Sequence, residues 1–443
     1  MKKSLFHRNS YPAYATLNDW ILHEAIPFSI DSPENLNAAI DRLIDSLDGS
    51  VELLGFGEAL HGGEDILILR NRLFQRLVEV HGYSAIAIES SFPRAHLVNE
   101  YIAGRGPASY EAVQDSGFSH GFGRLDANWE LVEWMRWYNA DPSHRVKLRF
   151  YGFDSPTEMT FSDSPRQVLY FVLDYLASVD IASSQEHRER IDAFLGQDSD
   201  WENPDAMMDP AKFIGLSPAA TTLRIEVEDL IMELRIRRPE LVAKSDKSCY
   251  LEAMHYANVA RQLLNYHAGL ARKSDSGERL VRGLGIRDLM MADNLAYIVS
   301  RECDRGKVLV FAHSSHLQRG KAQWQLGTDL LIWWPAGAQL NEIFGPRYVV
   351  IGSGIGVSEA NGIAQPENST LEARLTNAPG SVRFVPTHKG QGLPTPEIVA
   401  LPTRSGSMKN SSYFALTPQS LTDFDWLVVL DSTAYARGGP PLQ

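Results

Sequence analysis

The clearest pattern of apolar and polar positions lies between residues 51 and 89. An apolar run at 51–56 is followed by Glu58 and by a loop that glycines flank. Leucines at helical spacing come next, and a second apolar run at 85–88 ends at Glu89. Short apolar runs bounded by glycine are typical of buried strands, whereas leucines every four residues indicate an amphipathic helix. The pattern therefore predicts a strand, a helix and a second strand.

Ionisable residues stand at the ends of both predicted strands. Glu58 closes the first strand, His61 follows it closely, Glu89 closes the second strand, and Arg70 lies on the helix between them. Chemically active groups of parallel sheets sit at the carboxyl ends of the strands. If the two strands are parallel neighbours, Glu58, His61 and Glu89 share one rim, which Arg70 can face. A solvated loop explains each residue alone equally well, but their combined spacing favours a site.

Strand-like runs recur on both sides of a long helical stretch. Residues 147–153 predict a strand that ends at Asp154, and residues 307–311 predict another that leads into His313 and His316. Later apolar runs predict short strands at 348–352, 382–385, 413–416 and 426–431. Between about 160 and 300, helical stripes replace them, at 168–176, 223–236, 250–270 and 287–299.

We therefore expect an α/β fold with a mostly parallel central sheet, flanking helices and a large helical insertion. The predicted catalytic core is discontinuous, residues 1–160 and 301–443, and residues 161–300 form the predicted insertion domain. A segment rich in glycine, serine and histidine, 104–127, predicts a surface loop. An aromatic helix is expected at 128–139, with its three tryptophans in the core.

Composition excludes several classes of function. The 443 residues carry a net charge of -13 and no basic block, which argues against nucleic acid and against an anionic membrane surface. The two cysteines, Cys249 and Cys303, form no disulfide framework or cysteine zinc cage. No apolar run is long enough to span a membrane, and the N-terminus lacks the apolar stretch of a signal peptide. We expect a cytoplasmic protein with a small-molecule partner.

Three kinds of chemistry fit the candidate residues. A histidine held by a carboxylate can activate water for attack on an ester carbonyl, and this needs no cofactor. His313 and His316, three residues apart, can instead hold zinc or iron together with carboxylates, although two histidines alone are a weak signal. Residues 117–121 match the serine hydrolase motif around Ser119, but no buried strand precedes that serine, as a nucleophile elbow requires.

Several of these segments, in this order, resemble the erythromycin esterase family. The matching pieces, which span most of the chain, are GFGEALHG, LILRNRLFQRLVEVHGY with its arginine, AIAIE, VNEYI, ELVEWMRWYN, RFYGFD, RDLMMADNL and FAHSSH followed by RG. The resemblance implies an α/β core with a helical insertion and metal-independent hydrolysis of a macrolide lactone ester. It implies that His61 is the general base, that Glu58, Arg70 and Glu89 are its partners, and that His313 and His316 form a second histidine pair.

The chain departs from the family pattern at expected pocket walls. Leu60 stands where the family has threonine, Ser90-Ser91-Phe92 replaces an aromatic segment, and FSHGFGRLDA replaces a tryptophan-rich piece. These changes spare the ionisable residues, so they affect the expected substrate more than the expected chemistry. An esterase or lactonase acting on a macrolide or related secondary metabolite is one expectation. A biosynthetic or metal-binding protein that uses the same pocket without ester hydrolysis is the alternative.

Overall fold

A computed structural model describes residues 12–157, 162–207 and 209–439. The N-terminus, on which the expectation of no signal peptide rests, lies outside these ranges. Within them the strands are β1 Ile26–Phe28, β2 Leu53–Glu58, β3 Tyr83–Ser91, β4 Arg149–Asp154, β5 Lys307–His313, β6 Ala322–Leu326, β7 Asp329–Trp333, β8 Tyr348–Val357, β9 Val382–Pro386 and β10 Trp426–Ser432. No helix in the described ranges has the length and apolarity to cross a membrane.

The strands form one large sheet and one separate hairpin. The eight-stranded sheet has the order β1-β9-β10-β8-β2-β5-β3-β4, and β6 pairs with β7. The strands from β10 to β4 run parallel to their neighbours. Only the edge formed by β9 and β1 is antiparallel. The prediction of a mostly parallel central sheet is confirmed.

Helices cover both faces of the sheet. They are α1 Leu17–Glu24, α2 Pro33–Asp45, α3 Glu64–Val80, α4 Phe92–Ile102, α5 Asp126–Ala140, α6 Arg166–Val179, α7 Ile181–Leu195, α8 Asp198–Trp201, α9 Pro218–Ile236, α10 Arg238–Lys244, α11 Lys247–Leu270, α12 Ser276–Glu302, α13 Ser314–Leu317, α14 Ala336–Phe344, α15 Leu371–Thr376, α16 Thr395–Val399 and α17 Ser420–Asp423. Helices α2, α3, α4 and α5 pack on one face, where Phe56 and Phe311 lie. Successive strand residues point to opposite faces, so each strand contributes to two cores.

The long helical region lies on the other face. Its predicted apolar stripes correspond to α6, α9, α11 and α12, and the structure adds α7, α8 and α10. Leu230 and Leu263 of this region belong to the same hydrophobic cluster as Leu53 and Val308 of the sheet. The helical region therefore shares a core with the sheet. The division into a core and an insertion domain stays a prediction.

Three details differ from the sequence-based expectations. Strands β2 and β3 are not neighbours, because β5 lies between them. Residues 413–416 form no strand, and Phe414 donates its backbone N–H to the carbonyl of Ala59 instead. Of the tryptophans on α5, Trp129 and Trp137 are exposed, so the assignment of all three to the core was wrong.

Candidate active site

The strand register brings the predicted residues to one rim of the sheet. Glu58, the last residue of β2, lies directly opposite His313, the last residue of β5. On the other side of β5, Ile88 pairs with Phe311, so Glu89 follows beside Ala312, one residue before His313. The end of β4 adds Asp154. The insertion of β5 thus places His313 between the two glutamates.

Glu58 and His61 form a hydrogen-bonded pair at the centre of this rim. His61 Nδ1 donates to Glu58 Oε1 at 2.7 Å. The Glu58 side chain is 5% exposed, whereas that of His61 is 33% exposed. No hydrogen bond within the described part of the chain uses His61 Nε2. The carboxylate therefore fixes the tautomer that leaves the Nε2 lone pair accessible.

The backbone around His61 is held by neighbouring segments. Its N–H donates to Ser412 Oγ, and its carbonyl accepts from Asn410 Nδ2. The next residue, Gly62, has φ +82, and an added Cβ there would lie 2.8 Å from the ring of Tyr435. Glycine is favoured because it adopts positive φ without steric cost. The His61 ring is consequently presented from a fixed loop.

Opposing effects set the charge of this pair. Burial raises the pKa of Glu58 against the hydrogen bond and charge of His61. Burial disfavours the charged form of His61, but the hydrogen bond to Glu58 and the charges of Glu58 and Glu89 outweigh it. The pKa of His61 is consequently raised. A raised pKa makes the neutral imidazole a stronger base toward a proton of water.

His313 is neutral, and both of its ring nitrogens are engaged. Its Nε2–H donates to the Ser412 carbonyl at 2.6 Å, and Nδ1 accepts from Ser315 Oγ at 2.7 Å. Burial lowers the pKa of His313 to about 3. Its ring centroid lies 5.1 Å from that of His61. His313 therefore contributes a fixed, uncharged wall beside His61.

His316 is buried between two carboxylates. Nδ1 donates to Asp288 Oδ1 at 2.8 Å, and Nε2 lies 3.4 Å from Glu89 Oε1. Burial opposes the charge, yet Asp288 and Glu89 raise the pKa of His316 to about 10. Trp333 and the backbone N–H of Ala336 donate to the same Asp288 carboxylate. His316 is therefore an imidazolium at neutral pH.

Glu89 and Asp154 are joined by Arg287, a residue of α12. Arg287 Nη2 donates to Glu89 Oε1 at 3.1 Å and to Asp154 Oδ2 at 2.6 Å. Despite burial, the charge of His316 and further charges from His61 and Arg287 hold the pKa of Glu89 well below its usual range. Glu89 also accepts the backbone N–H of His313 at 2.8 Å. Glu89 thus contacts the backbone of His313 and the ring of His316, and its charge also raises the pKa of His61.

Arg70 lies behind the rim, not on it. The side chain is buried, its Nε and Nη2 donate to Asn71 Oδ1, and its guanidinium stacks on Phe311 at 4.8 Å. Burial lowers the pKa of Arg70 to about 10, although the charge of Glu58 opposes this shift. Arg70 and Glu58 line the same small cavity. Arg70 therefore affects Glu58 through its positive charge, which lowers the pKa of that carboxyl. A direct catalytic role for Arg70 stays a prediction.

The sequence interpretation missed four residues that the site uses. Arg287 and Asp288 form part of the RDLMMADNL segment, so an adjacent basic and acidic pair on a helix was the available signal. His120 has φ 58, and its Nε2 lies 3.1 Å from Asp154 Oδ2. Ser412 comes from a loop with no periodic pattern, so nothing in the sequence pointed to its contacts with both histidines.

The geometry also concerns the two other kinds of chemistry, a metal site and a serine nucleophile. Among the described residues, no group of three or more His, Cys, Asp or Glu side chains is arranged to hold a metal ion. Ser119 is buried, and its Oγ accepts the backbone N–H of Ser91. Turns and a short 3-10 helix, Tyr110–Ala112, precede Ser119 where a nucleophile elbow requires a strand. Its hydroxyl therefore holds Ser91 in place.

Comparison with known proteins assigns the family. The model of the erythromycin esterase family matches residues 78–433. The chain belongs to the erythromycin esterase family. An Escherichia coli protein, erythromycin esterase type II, is 23% identical over 340 residues, which cover 75% of this chain and 76% of that protein. The family match begins at residue 78 and does not include Glu58, His61 or Arg70. The positions of Glu58 and His61 in the site are known from the structure alone.

Solved structures share this fold over nearly the whole chain. A Bacillus cereus protein has a TM-score of 0.73 at 17% identity, covering 96% of this chain and 98% of its own. A succinoglycan biosynthesis protein reaches 0.69 at 21% identity, with coverage of 95% and 98%. A histidine-to-asparagine mutant of an erythromycin esterase, in its open conformation, reaches 0.63 at 18% identity, with coverage of 92% and 95%. Family membership supports hydrolase activity of the esterase type.

Proposed function

We propose that this erythromycin esterase family member hydrolyses an ester or lactone bond with water activated by His61. The observation that carries the proposal is the Glu58–His61 pair, at 2.7 Å, in which the His61 side chain is partly exposed and its outer ring nitrogen has no hydrogen bond to a described residue. A general base must reach both its proton and solvent. His61 meets both conditions, whereas His313 and His316 are buried and their ring nitrogens are engaged by protein atoms.

The reaction uses groups of this chain in two steps. His61 Nε2 removes a proton from water while the water oxygen attacks the carbonyl carbon and forms a tetrahedral oxyanion. Collapse of that intermediate breaks the carbon–oxygen bond of the ester. The proton on His61 then passes to the leaving alkoxide, which gives one carboxylic acid and one alcohol. Glu58 stabilises the imidazolium that exists between the steps, as a carboxylate does in hydrolytic triads.

Buried positive charge near the rim supports an anionic intermediate. His316 is an imidazolium, and Arg287 is held between Glu89 and Asp154. Charges fixed by their surroundings stabilise an oxyanion without reorganising during the reaction. These two cations also neutralise the negative charge of the carboxylates that they contact, Glu89, Asp154 and Asp288. Catalytic roles for Glu58, His61, Glu89, Arg70, His313 and His316 all form part of the proposal.

The proposed substrate is a macrolide or a related secondary metabolite, hydrolysed without a metal ion. The family match and the similarity to the Escherichia coli esterase support this class. Residues 118–127 depart from the family pattern close to His61, since the ring centroid of Phe122 lies 5.4 Å from that of His61, so we expect a substrate other than erythromycin itself. Leu60 is fully buried and lines no pocket wall. The absence of nucleic-acid and membrane partners and a cytoplasmic location stay predictions from composition.

A mass-spectrometric screen tests the function. Purified protein is incubated with macrolides of different ring size, simple lactones and aryl esters, and each product is examined for a gain of one water. We expect such a product from at least one macrolactone, and none with His61→Ala. Conversion without water gain, such as transfer of the acyl group to a second alcohol, identifies the biosynthetic alternative. Loss of turnover on chelation, restored by zinc or iron, identifies the metal-binding alternative.

A further inference from the structure

A small cavity lies beside Glu58, on the face of the sheet that α3 and α5 cover. Its volume is about 20 Å³. Its polar walls are Glu58, Arg70, Glu89 and Asn128, and the other walls are mostly apolar, including Phe122. One water molecule needs a cavity of roughly 10–15 Å³ together with two to four polar partners. The cavity therefore has the size for one water and too little room for a larger ligand.

Two buried acceptors in these walls have no donor in the described part of the chain. They are Glu58 Oε2 and Asn128 Oδ1. The orientation of the Asn128 amide is fixed, because its Nδ2 donates to the carbonyl of Phe122 at 2.8 Å. Buried polar atoms without a partner are rare in folded proteins, and an ordered water is a common explanation.

A donor is available in the same walls. The hydrogen bonds of Arg70 to described residues use Nε and Nη2, which contact Asn71 and the carbonyl of Ala127, and none uses Nη1. Two acceptors and one donor match the two hydrogens and a lone pair of one water. The guanidinium disfavours a cation in this cavity, and the carboxylates of Glu58 and Glu89 disfavour an anion.

We propose that one ordered water binds here, donates to Glu58 Oε2 and to Asn128 Oδ1, and accepts from Arg70 Nη1. The water then joins Arg70 to the Glu58–His61 pair through one continuous chain of hydrogen bonds. Asn128 is a positioning residue, since it holds the water and contacts neither His61 nor the substrate pocket by a hydrogen bond. The functional consequence, unlike the water itself, rests on the proposed role of His61.

The consequence concerns the ionised form of Glu58. Burial disfavours that form. A hydrogen bond from water to Oε2, backed by the Arg70 guanidinium, favours it. Without the water, Glu58 competes with His61 for the proton of the pair, and a larger fraction of the enzyme lacks the combination of a carboxylate and a neutral base. Removing Asn128 should therefore change the pH dependence of turnover and not merely its size.

A crystal structure of the full chain, at a resolution that shows interior waters, tests the site without reference to activity. We expect one fully occupied water within about 3 Å of Glu58 Oε2, Asn128 Oδ1 and Arg70 Nη1. In Asn128→Leu, which replaces the amide with an apolar group of similar size, that water should be absent. An empty cavity in the unmodified protein, beside clear waters elsewhere in the interior, overturns the proposal.

The pH dependence of kcat/KM on the best macrolactone from the screen tests the consequence. For Asn128→Leu we expect the acid limb to move to higher pH and kcat/KM at pH 7 to fall about tenfold, as a change of one pKa unit implies. The control is Asn139→Leu on the same helix, whose amide bonds Ile102 and Leu148 away from the cavity. Identical pH profiles for the two variants refute a positioning role for Asn128. A wild-type protein that contains the water but hydrolyses nothing refutes the proposed function instead.

Discussion

The two groups of histidines at this rim differ in what surrounds their ring nitrogens. His61 is partly exposed, with one ring nitrogen hydrogen-bonded to a carboxylate and one without a hydrogen bond to a described residue. His313 and His316 are buried, and all four of their ring nitrogens contact protein atoms. The sequence presents all three as histidines just after a buried strand. Only the structure shows that His61 is partly exposed, whereas the ring nitrogens of His313 and His316 are engaged by protein atoms.

The comparison also separates two uses of a carboxylate. Glu58 hydrogen-bonds one ring nitrogen of His61 and leaves the other without a hydrogen bond to a described residue, whereas Asp288 and Glu89 together hold His316 in its charged form. His61 is partly exposed and contacts one carboxylate directly, whereas His316 is buried in contact with two carboxylates that favour its charged form. Variants of the two groups should therefore fail in different ways, the first in turnover and the second in stability.

The largest expected effect is that of His61→Ala on turnover. Loss of the general base should lower kcat about 10²- to 10⁴-fold, while the free energy of unfolding in urea changes little because the side chain is partly exposed. A matched control is His81→Ala, which removes a histidine held by Asp41 at 2.8 Å outside the site. Equal activity losses in the two variants would contradict the assignment of His61.

His316→Gln should act mainly on stability. Removing the imidazolium leaves the buried Asp288 without its cation and Glu89 with Arg287 alone, which costs on the order of 3 kcal/mol in the free energy of unfolding at pH 6.5. Because the folded pKa of His316 is raised to about 10 from 6.5, its stabilisation is complete below pH 6.5 and is lost as pH rises through 10.

Urea unfolding at pH 6.5, 8 and 10 measures this effect. The unmodified protein should lose stability across that window more steeply than His316→Gln does. Parallel curves for the two proteins would show that His316 carries no raised pKa. In that case the distinction between a reactive histidine and a permanent cation would no longer hold.

The smallest expected effect on activity is that of Ser119→Ala. The hydroxyl accepts the buried N–H of Ser91, so its removal should cost about 1–3 kcal/mol of stability. Turnover of the folded variant should stay within a few-fold of the original. A folded but inactive Ser119→Ala enzyme, or a burst of product from an acyl-enzyme in the unmodified protein, would favour serine chemistry over water activation.

Much of the fold follows from local pattern. Buried strands and amphipathic helices leave strong periodic signals, so β2, α3, β3, β5 and α12 were predictable from apolar spacing. The position of β5 between β2 and β3 was not, because strand order depends on contacts between segments more than 200 residues apart, such as Glu89 with His313. That order explains why two glutamates flank one histidine.

The site was predictable in its residue types and only partly in its roles. Glu58 and Glu89 end predicted strands, His61 and His313 follow predicted strands closely, and strand ends of a parallel sheet converge. The burial of Arg70 was not foreseen, since helical spacing alone does not say which turn faces the rim. The contacts of Ser412 come from an irregular loop, where hydrogen bonds between distant segments replace the periodic order that sequence patterns reveal.

The pH dependence of kcat/KM, compared between the unmodified enzyme and Glu58→Gln, tests the central claim most directly. Glutamine keeps the size of the side chain and an acceptor for His61 Nδ1, but removes the charge that helps raise the pKa of His61. We predict an acid limb above pH 6.5 in the unmodified enzyme and a lower kcat with the limb shifted to lower pH in Glu58→Gln. Identical acid limbs in the two proteins would contradict water activation by the Glu58–His61 pair.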